Sequence, residues 1–199
     1  MKRQIVVVHG GHVSTPAENI LDYLKNKNVT ADDFKLRKGW KEWLNEVLGN
    51  EFEMFYPQMQ NKLTSEYLEW KTWFEKLFPF LNDGVILVGH SLGAIFLVKY
   101  LSENDFPKKI RALFLVAAPF DNDEGKTMGS FTLGRDFSKL TNQVPEIFLY
   151  HSKDDPTVPF FDFEKYKEKL PQAKFFSFED RGHFNTETFE ELASQILAL

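Results

Sequence analysis

The sequence predicts an α/β fold with three layers, in which a mainly parallel sheet of about six strands carries helices on both faces. Short β-branched or apolar runs recur at 4–8, 52–56, 84–88, 110–117, 146–150 and 174–178. Helical patterns lie between most of these runs, and such alternation is typical of a doubly wound sheet. No linker, internal repeat or low-complexity tract interrupts the pattern, so we expect one domain over residues 1–199.

Amphipathic spacing predicts the helices. A capping box at 15–18, with proline at the first helical position, indicates a helix that continues to about residue 27. We expect the apolar stripes of the other helices to face the core rather than a ligand. These stripes are Trp40, Trp43, Leu44, Val47 and Leu48; Leu63, Tyr67, Trp70, Phe74 and Leu77; and Phe189, Leu192, Ile196 and Leu199.

Composition excludes several classes of protein. The 199 residues are 43% apolar and include 21 Phe, enough for a substantial core. The net charge is −5, and basic residues form no stripe, so a nucleic-acid partner is not expected. The chain has no cysteine, which excludes a disulfide scaffold and a thiol nucleophile. The apolar runs are too short for a signal peptide or a membrane span, and we expect a cytoplasmic protein.

The most informative motif is the Gly-x-Ser-x-Gly sequence at 89–93. It follows the apolar run 85–88 and precedes an apolar helical segment, which is the strand–turn–helix context of a nucleophile elbow. In such an elbow the serine adopts a strained backbone conformation, and the flanking glycines leave room for it. Ser91 is therefore the candidate nucleophile.

A serine nucleophile needs a base, and the base needs an acid to orient it. His183 lies between the last predicted strand and the last helix, which makes it the candidate base. His90 is adjacent to Ser91 in sequence and is a poor base, because an elbow points neighbouring side chains in different directions. The acid is one of Asp154 and Asp155, which directly follow the fifth predicted strand. The order serine, aspartate, histidine is that of an α/β-hydrolase.

An oxyanion hole needs two N–H groups that point at the same oxygen. One normally belongs to the residue after the nucleophile, here Leu92. The second is expected from the Gly10-Gly11-His12 loop after the first strand, where glycines let the backbone approach a substrate closely. We predict Gly11 as this donor, with His12 as the next choice.

The chain resembles the small, lidless α/β-hydrolases of the retinoblastoma-binding protein 9 and YdeN-like serine-hydrolase family. The resemblance rests on the segments His9-Gly10-Gly11, Trp40-x-x-Trp43-Leu44, 55–59, 89–93, 154–159 and 182–184. It implies a six-stranded sheet and serine-hydrolase chemistry, with Asp155 as the acid, since the acid in such enzymes is typically the aspartate of Asp-x-x-Val-Pro. The segment 28–39 is longer and more charged than expected for the smallest members.

The stretch from Pro119 to Val144 is the longest without a clear strand or helix. It mixes apolar side chains with polar residues and glycines, which fits either a short flap over the active site or an irregular surface loop. We predict no metal site, because Gly10-Gly11 breaks any helix that would align His9 with His12. No nucleotide-binding motif is present, and no cofactor is expected.

The sequence thus predicts a serine hydrolase that acts on a small-molecule acyl substrate. Carboxylic esters are the expected class, ahead of thioesters or amides, and the reaction passes through an acyl-enzyme. The alternative is a protein-interaction module on a hydrolase scaffold with little or no turnover, because fold alone does not determine function. Retention of Ser91, Asp155 and His183 favours the enzyme.

Overall fold

The structure is a computed structural model that describes residues 2–13, 25–26, 28–29, 38–120 and 128–199. Of the helix predicted from the capping box at 15–18, only residues 25–26 are described, and they are helical. Most of the charged segment 28–39 lies outside the described residues. Within the described ranges, none of the helices is both long and apolar enough to cross a membrane.

The described strands form one parallel sheet in the order β2-β1-β3-β4-β5-β6. This confirms the predicted six-stranded parallel sheet. Two strands run further than predicted, because β3 and β5 end at residues 90 and 152 rather than at 88 and 150. The strands are β1 (Arg3–Val8), β2 (Phe52–Phe55), β3 (Val85–His90), β4 (Ile110–Val116), β5 (Ile147–Ser152) and β6 (Lys174–Phe178).

The sheet changes winding direction at β1, which lies between β2 and β3. In open parallel sheets a crevice forms beyond the carboxyl ends of the strands at such a switch point. Val8 at the end of β1 is in register with Gly89 near the end of β3. The loop after β1 and the turn after β3 therefore lie side by side.

Both faces of the sheet are buried, and the strand residues alternate between two apolar clusters. Val6 and Leu87 belong to one cluster, whereas Ile5 and Ile86 belong to the other. The first cluster is covered by α2 (Tyr67–Glu75), α3 (Leu92–Glu103), α4 (Ser138–Gln143) and α5 (Phe160–Lys169). The second is covered by α1 (Trp40–Leu48) and α6 (Glu190–Leu197). The three-layer prediction is confirmed.

Two residues of the predicted stripes do not face the core. Val47 is exposed, although its neighbours Leu44 and Leu48 in α1 are buried. Leu63 is also exposed and precedes α2, which begins at Tyr67. Sequence periodicity predicted that both side chains are buried, because it shows neither where a helix begins nor which of its side chains contact the sheet.

The segment 119–144 is more regular than predicted. It contains a 3₁₀ helix at Gly129–Phe131 as well as α4, and the side chains of Phe131 and Leu140 are fully buried against the first cluster. The expectation of no regular structure was therefore wrong for these parts. Residues 121–127 lie outside the described chain, so a flap over the active site stays a prediction.

Candidate active site

Ser91 occupies the tight turn between β3 and α3. Its φ of 55° and ψ of −125° are unusual for a residue with a side chain, as the predicted elbow requires. The turn is held from both sides, because the Ser91 N–H donates to the carbonyl of Val116 at 2.9 Å and its carbonyl accepts from Ala94 N–H at 2.9 Å. The strain is thus maintained by the neighbouring strand and by the first turn of the helix.

The glycines that flank Ser91 allow the backbones of β1, β3 and α3 to pack closely against one another. A Cβ on Gly89 would lie 2.5 Å from the Ala94 Cα, and one on Gly93 would lie 2.3 Å from the Val8 carbonyl oxygen. Both distances are too short for real atoms, so any side chain would force α3 away from the sheet. Close packing of the backbone therefore requires glycine at both positions of the Gly-x-Ser-x-Gly motif.

The loop after β1 lies directly against Ser91, the candidate nucleophile. A Cβ on Gly10 would be 3.0 Å from the Ser91 Cβ and 3.4 Å from its Oγ. His9 fixes the orientation of this loop: its Nε2 accepts from the Met59 N–H at 2.8 Å, so Nδ1 carries the proton and donates to the Gly10 carbonyl at 2.6 Å. In a trans peptide the Gly11 N–H points opposite to that carbonyl, away from His9.

Among the described residues, backbone hydrogen bonds show which of the N–H groups predicted to bind an oxyanion are already occupied. The His12 N–H donates to the Lys62 carbonyl at 2.7 Å, so it is not free to bind an oxyanion. His12, the second choice as oxyanion donor in the sequence-based prediction, is therefore excluded. The N–H groups of Gly11 and Leu92 have no such backbone partner, and the Leu92 N–H stands at the first residue of α3, where helix N–H groups are free. The Leu92 side chain also lies 3.1 Å from the Cβ position of Gly11.

The structure joins His183 to Asp155 rather than to Asp154. His183 Nδ1 lies 2.8 Å from Asp155 Oδ2 and 3.0 Å from Oδ1. Since a carboxylate only accepts, Nδ1 carries the ring proton and Nε2 is left to face the groove. No hydrogen bond joins the described Ser91 hydroxyl to the His183 ring, although both side chains line the same groove. In enzymes without substrate this bond is often long and shortens on binding.

Asp155 is held as a carboxylate in spite of its burial. Burial alone would raise the pKa of Asp155, but hydrogen bonds from His183 and from the backbone of Val158 and Thr157 together hold it below its usual value. The Val158 N–H donates at 3.0 Å and the Thr157 N–H at 2.8 Å, both to Oδ1. The side chain of Asp155 is fully buried, so the negative charge acts on His183 without screening by water.

Asp154 supports the site from outside. It is exposed, and it accepts from the Gly182 N–H at 2.8 Å and from the Ser152 hydroxyl at 2.5 Å. Ser152 Oγ in turn accepts from the Arg181 N–H at 2.9 Å. These bonds fix the residues just before His183, so the two adjacent aspartates have different tasks.

His90 has a position that sequence reasoning did not anticipate. Its Nε2 lies 2.9 Å from the His183 carbonyl, and its Nδ1 lies 3.4 Å from Lys41 Nζ. Burial, followed by the charge of Lys41, lowers the pKa of His90, so the neutral ring donates from Nε2 to the backbone of His183. His90 thus anchors the backbone of His183, the residue predicted to be the base.

The candidate residues open onto a groove of about 440 Å³ at the switch point. Lys41 and Lys62 line it, and neither was predicted from the sequence as a site residue. Lys41 lies in the first turn of α1, where the apolar stripe predicted only that the neighbouring Trp40 faces the core. In the described part of the chain, no three His, Asp or Glu side chains stand together as a metal-binding group.

Comparisons with known proteins agree with this architecture. Residues 36–196 match the model of the family described as "Serine hydrolase". The chain is 29% identical to the serine hydrolase RBBP9 of Rattus norvegicus over 160 residues, covering 77% of this chain and 82% of the relative. It is 25% identical to YdeN of Bacillus subtilis over 152 residues, covering 73% and 77%.

Solved structures show the same fold. The ydeN gene product of B. subtilis superposes with a TM-score of 0.76 at 18% identity, over 99% of this chain and 98% of that one. An esterase from Exiguobacterium antarcticum superposes with a TM-score of 0.58 at 16% identity, over 98% and 91%. The chain therefore belongs to the serine hydrolase family that includes RBBP9 and YdeN, and it has the α/β-hydrolase fold.

Proposed function

We propose that this hydrolase cleaves carboxylic esters through a triad of Ser91, His183 and Asp155. The observation that carries the proposal is the pairing of His183 Nδ1 with the buried carboxylate of Asp155, 2.8 Å away. That pairing leaves His183 Nε2 as a proton acceptor on the groove side, where Ser91 sits on its strained turn. Serine acyl transfer needs such a base beside the nucleophile.

In the proposed reaction, Ser91 Oγ attacks the acyl carbon while its proton passes to His183 Nε2. The N–H groups of Leu92 and Gly11 donate to the oxygen that becomes negative, and the buried charge of Asp155 stabilises the imidazolium. The ester C–O bond then breaks, and the leaving alkoxide takes the proton from His183. Water, deprotonated by His183, attacks the acyl-enzyme, and the acid is released as Ser91 regains its proton.

Esters are the first class to test. They need less assistance to the leaving group than amides, and the esterase that shares the fold acts within the same architecture. A thioester or an amide would use the same residues, so a panel of acyl substrates decides between them.

The test is labelling by a fluorophosphonate probe together with hydrolysis of 4-nitrophenyl esters of increasing chain length. We expect wild type to react with both, and Ser91→Ala and His183→Ala to lower kcat/KM at least about a thousandfold. Ser194→Ala is the matched control, because Ser194 is exposed on α6. Folded wild-type protein that neither binds the probe nor cleaves any acyl substrate would overturn the proposal and favour the protein-interaction alternative.

A further inference from the structure

The active-site groove carries an unusual charge for this protein. The chain as a whole has a net charge of −5. Yet the described residues that line the groove include two lysines, Lys41 and Lys62, and four histidines, with no aspartate or glutamate among them. A groove lined by one sign of charge concentrates ligands of the opposite sign.

The two lysines of the groove differ from the lysines elsewhere. In the described chain, neither Lys41 nor Lys62 forms an ion pair with a carboxylate. Many other lysines do so, namely Lys38, Lys71, Lys99, Lys139, Lys153, Lys167 and Lys174. Glu42 is close enough to influence Lys41, but its carboxylate accepts from the Gly39 N–H at 3.0 Å and caps α1. Within the described ranges, no carboxylate thus lies at ion-pair distance from either lysine of the groove, and Glu42 acts on Lys41 only from beyond that distance.

Lys41 is held in place rather than free in solvent. Its Nζ lies 3.4 Å from His90 Nδ1 and 4.7 Å from the centre of the Trp40 ring. Burial lowers the pKa of Lys41 to about 8, while Glu42 acts in the opposite direction. Lys41 therefore keeps its charge at neutral pH in a setting that penalises charge, and a bound anion would relieve that penalty.

Lys62 reaches the groove from the loop between β2 and α2. Its carbonyl accepts the His12 N–H at 2.7 Å, which fastens this loop to the loop that carries Gly11. The pKa of His9 is lowered first by burial and then by the charges of Lys41 and Lys62, even though the hydrogen bond to Gly10 acts in the opposite direction. Both lysines therefore act electrostatically on the same residue, next to the predicted oxyanion loop.

We propose that the ester substrate carries a carboxylate, which binds at Lys41 and Lys62 while Ser91 attacks the acyl carbon. This inference rests on the proposed function and adds the substrate class to it. A carboxylate would give Lys41 and Lys62 the ion-pair partner that the described protein does not supply, in the same groove that Ser91 lines.

Two matched pairs of substrates test the proposal on the acyl side and on the alcohol side. The first pair is 4-nitrophenyl hydrogen adipate and 4-nitrophenyl hexanoate, which have the same chain length and differ in one carboxylate. The second pair is 4-acetoxybenzoate and its methyl ester. The measured quantity is the ratio of kcat/KM for the anionic ester to that for its neutral partner, after subtraction of the uncatalysed rate.

We expect wild type to prefer the anionic ester in at least one pair by about tenfold, and to lose part of that preference at high salt. Lys41→Met should lower the ratio about tenfold, because the loss for the anionic ester exceeds the loss for the neutral one. Lys62→Met should lower it about threefold, since Lys62 is more exposed. Lys76→Met is the control, because Lys76 is exposed beyond the end of α2 and outside the groove; it should leave the ratio unchanged.

The outcomes separate this inference from the proposed function. Probe labelling and cleavage of the neutral esters, without any preference for the anionic ester in either pair, would overturn the inference and leave the esterase intact. A preference that Lys41→Met and Lys76→Met reduce equally would overturn it as well. Absence of labelling and of all ester cleavage would overturn both.

Discussion

The two sides of the groove are built differently. On the side of the proposed acid and base (the acid–base side), formed by the loops after β5 and β6, Asp155 accepts from two backbone N–H groups and from His183, and Asp154 accepts from Gly182. On the side of the proposed nucleophile, formed by the loops after β1 and β2, the turn after β3 and the start of α1, the N–H of Gly11 has no backbone partner in the described chain. Lys41, on the same side, forms no ion pair with any carboxylate of the described residues.

The contrast fits a division of tasks. Groups that orient the base must already be in place before substrate arrives, and hydrogen bonds within the protein supply that order. Groups that bind substrate must keep their donors and charges free, which costs stability in the empty protein. Substitutions on the two sides of the groove should therefore have different effects on kcat and on stability.

The largest effect is expected on the acid–base side. Asp155→Asn removes the charge that favours the correct tautomer of His183, and kcat for an ester should fall about 10³- to 10⁴-fold. Asp154→Asn is the matched control, because an amide oxygen can still accept from Gly182, and kcat should stay within a few fold. Equal losses in both variants, measured by steady-state kinetics on folded protein, would contradict the assignment of the acid.

The next effect concerns the oxyanion loop. A Cβ on Gly11 would lie 2.7 Å from Ser65 Oγ and 3.0 Å from Trp70 Cζ2, so Gly11→Ala must displace the loop. We expect kcat to fall about 100-fold, because the loop would no longer aim its N–H at the reacting oxygen. Gly134→Ala is the control, since nothing lies within 4 Å of its Cβ position. Full kcat in Gly11→Ala would exclude Gly11 as a donor.

The smallest effect is one of stability. Lys41→Met should raise the free energy of unfolding at pH 7 by about 1–2 kcal/mol, because it removes a penalised charge. The pKa of Lys41 is lowered from 10.5 to about 8 in the folded state. Between these values the unfolded chain binds the proton more tightly, so wild-type stability rises with pH across that window.

The advantage of Lys41→Met should therefore be largest below pH 8 and shrink as the pH rises from about 8 to 10.5. The groups that face Lys41 are Glu42 on its own helix, His90 of β3 and His9 after β1, and both histidines are held neutral over this range. Urea unfolding at several pH values measures the effect. A variant that is less stable than wild type at every pH would mean that Lys41 stabilises the fold rather than the bound substrate.

Local patterns predicted much of the fold. The apolar runs and the strand–turn–helix order around Ser91 are local signals, and the structure contains the corresponding strands and elbow. Periodicity was less reliable at the edges of elements, as with Val47 and Leu63, because contact with the sheet decides which side of a helix is buried. The helix Ser138–Gln143 lacked a strong apolar period and was missed for a related reason, since its burial depends on α3.

The sequence by itself determined the class of fold, the strained turn and the chain order of the three predicted catalytic residues. The residues alone left the acid open between Asp154 and Asp155, and the family resemblance favoured Asp155, which the tertiary structure places against His183. Only the tertiary structure decided that the His12 N–H is already bonded and that His90 anchors the backbone of His183. It also brought Lys41 and Lys62 to the groove from segments far from Ser91. The physical reason is that parallel crossovers bring distant strand ends and loops to one edge, where packing and hydrogen bonds, not sequence neighbours, orient each side chain.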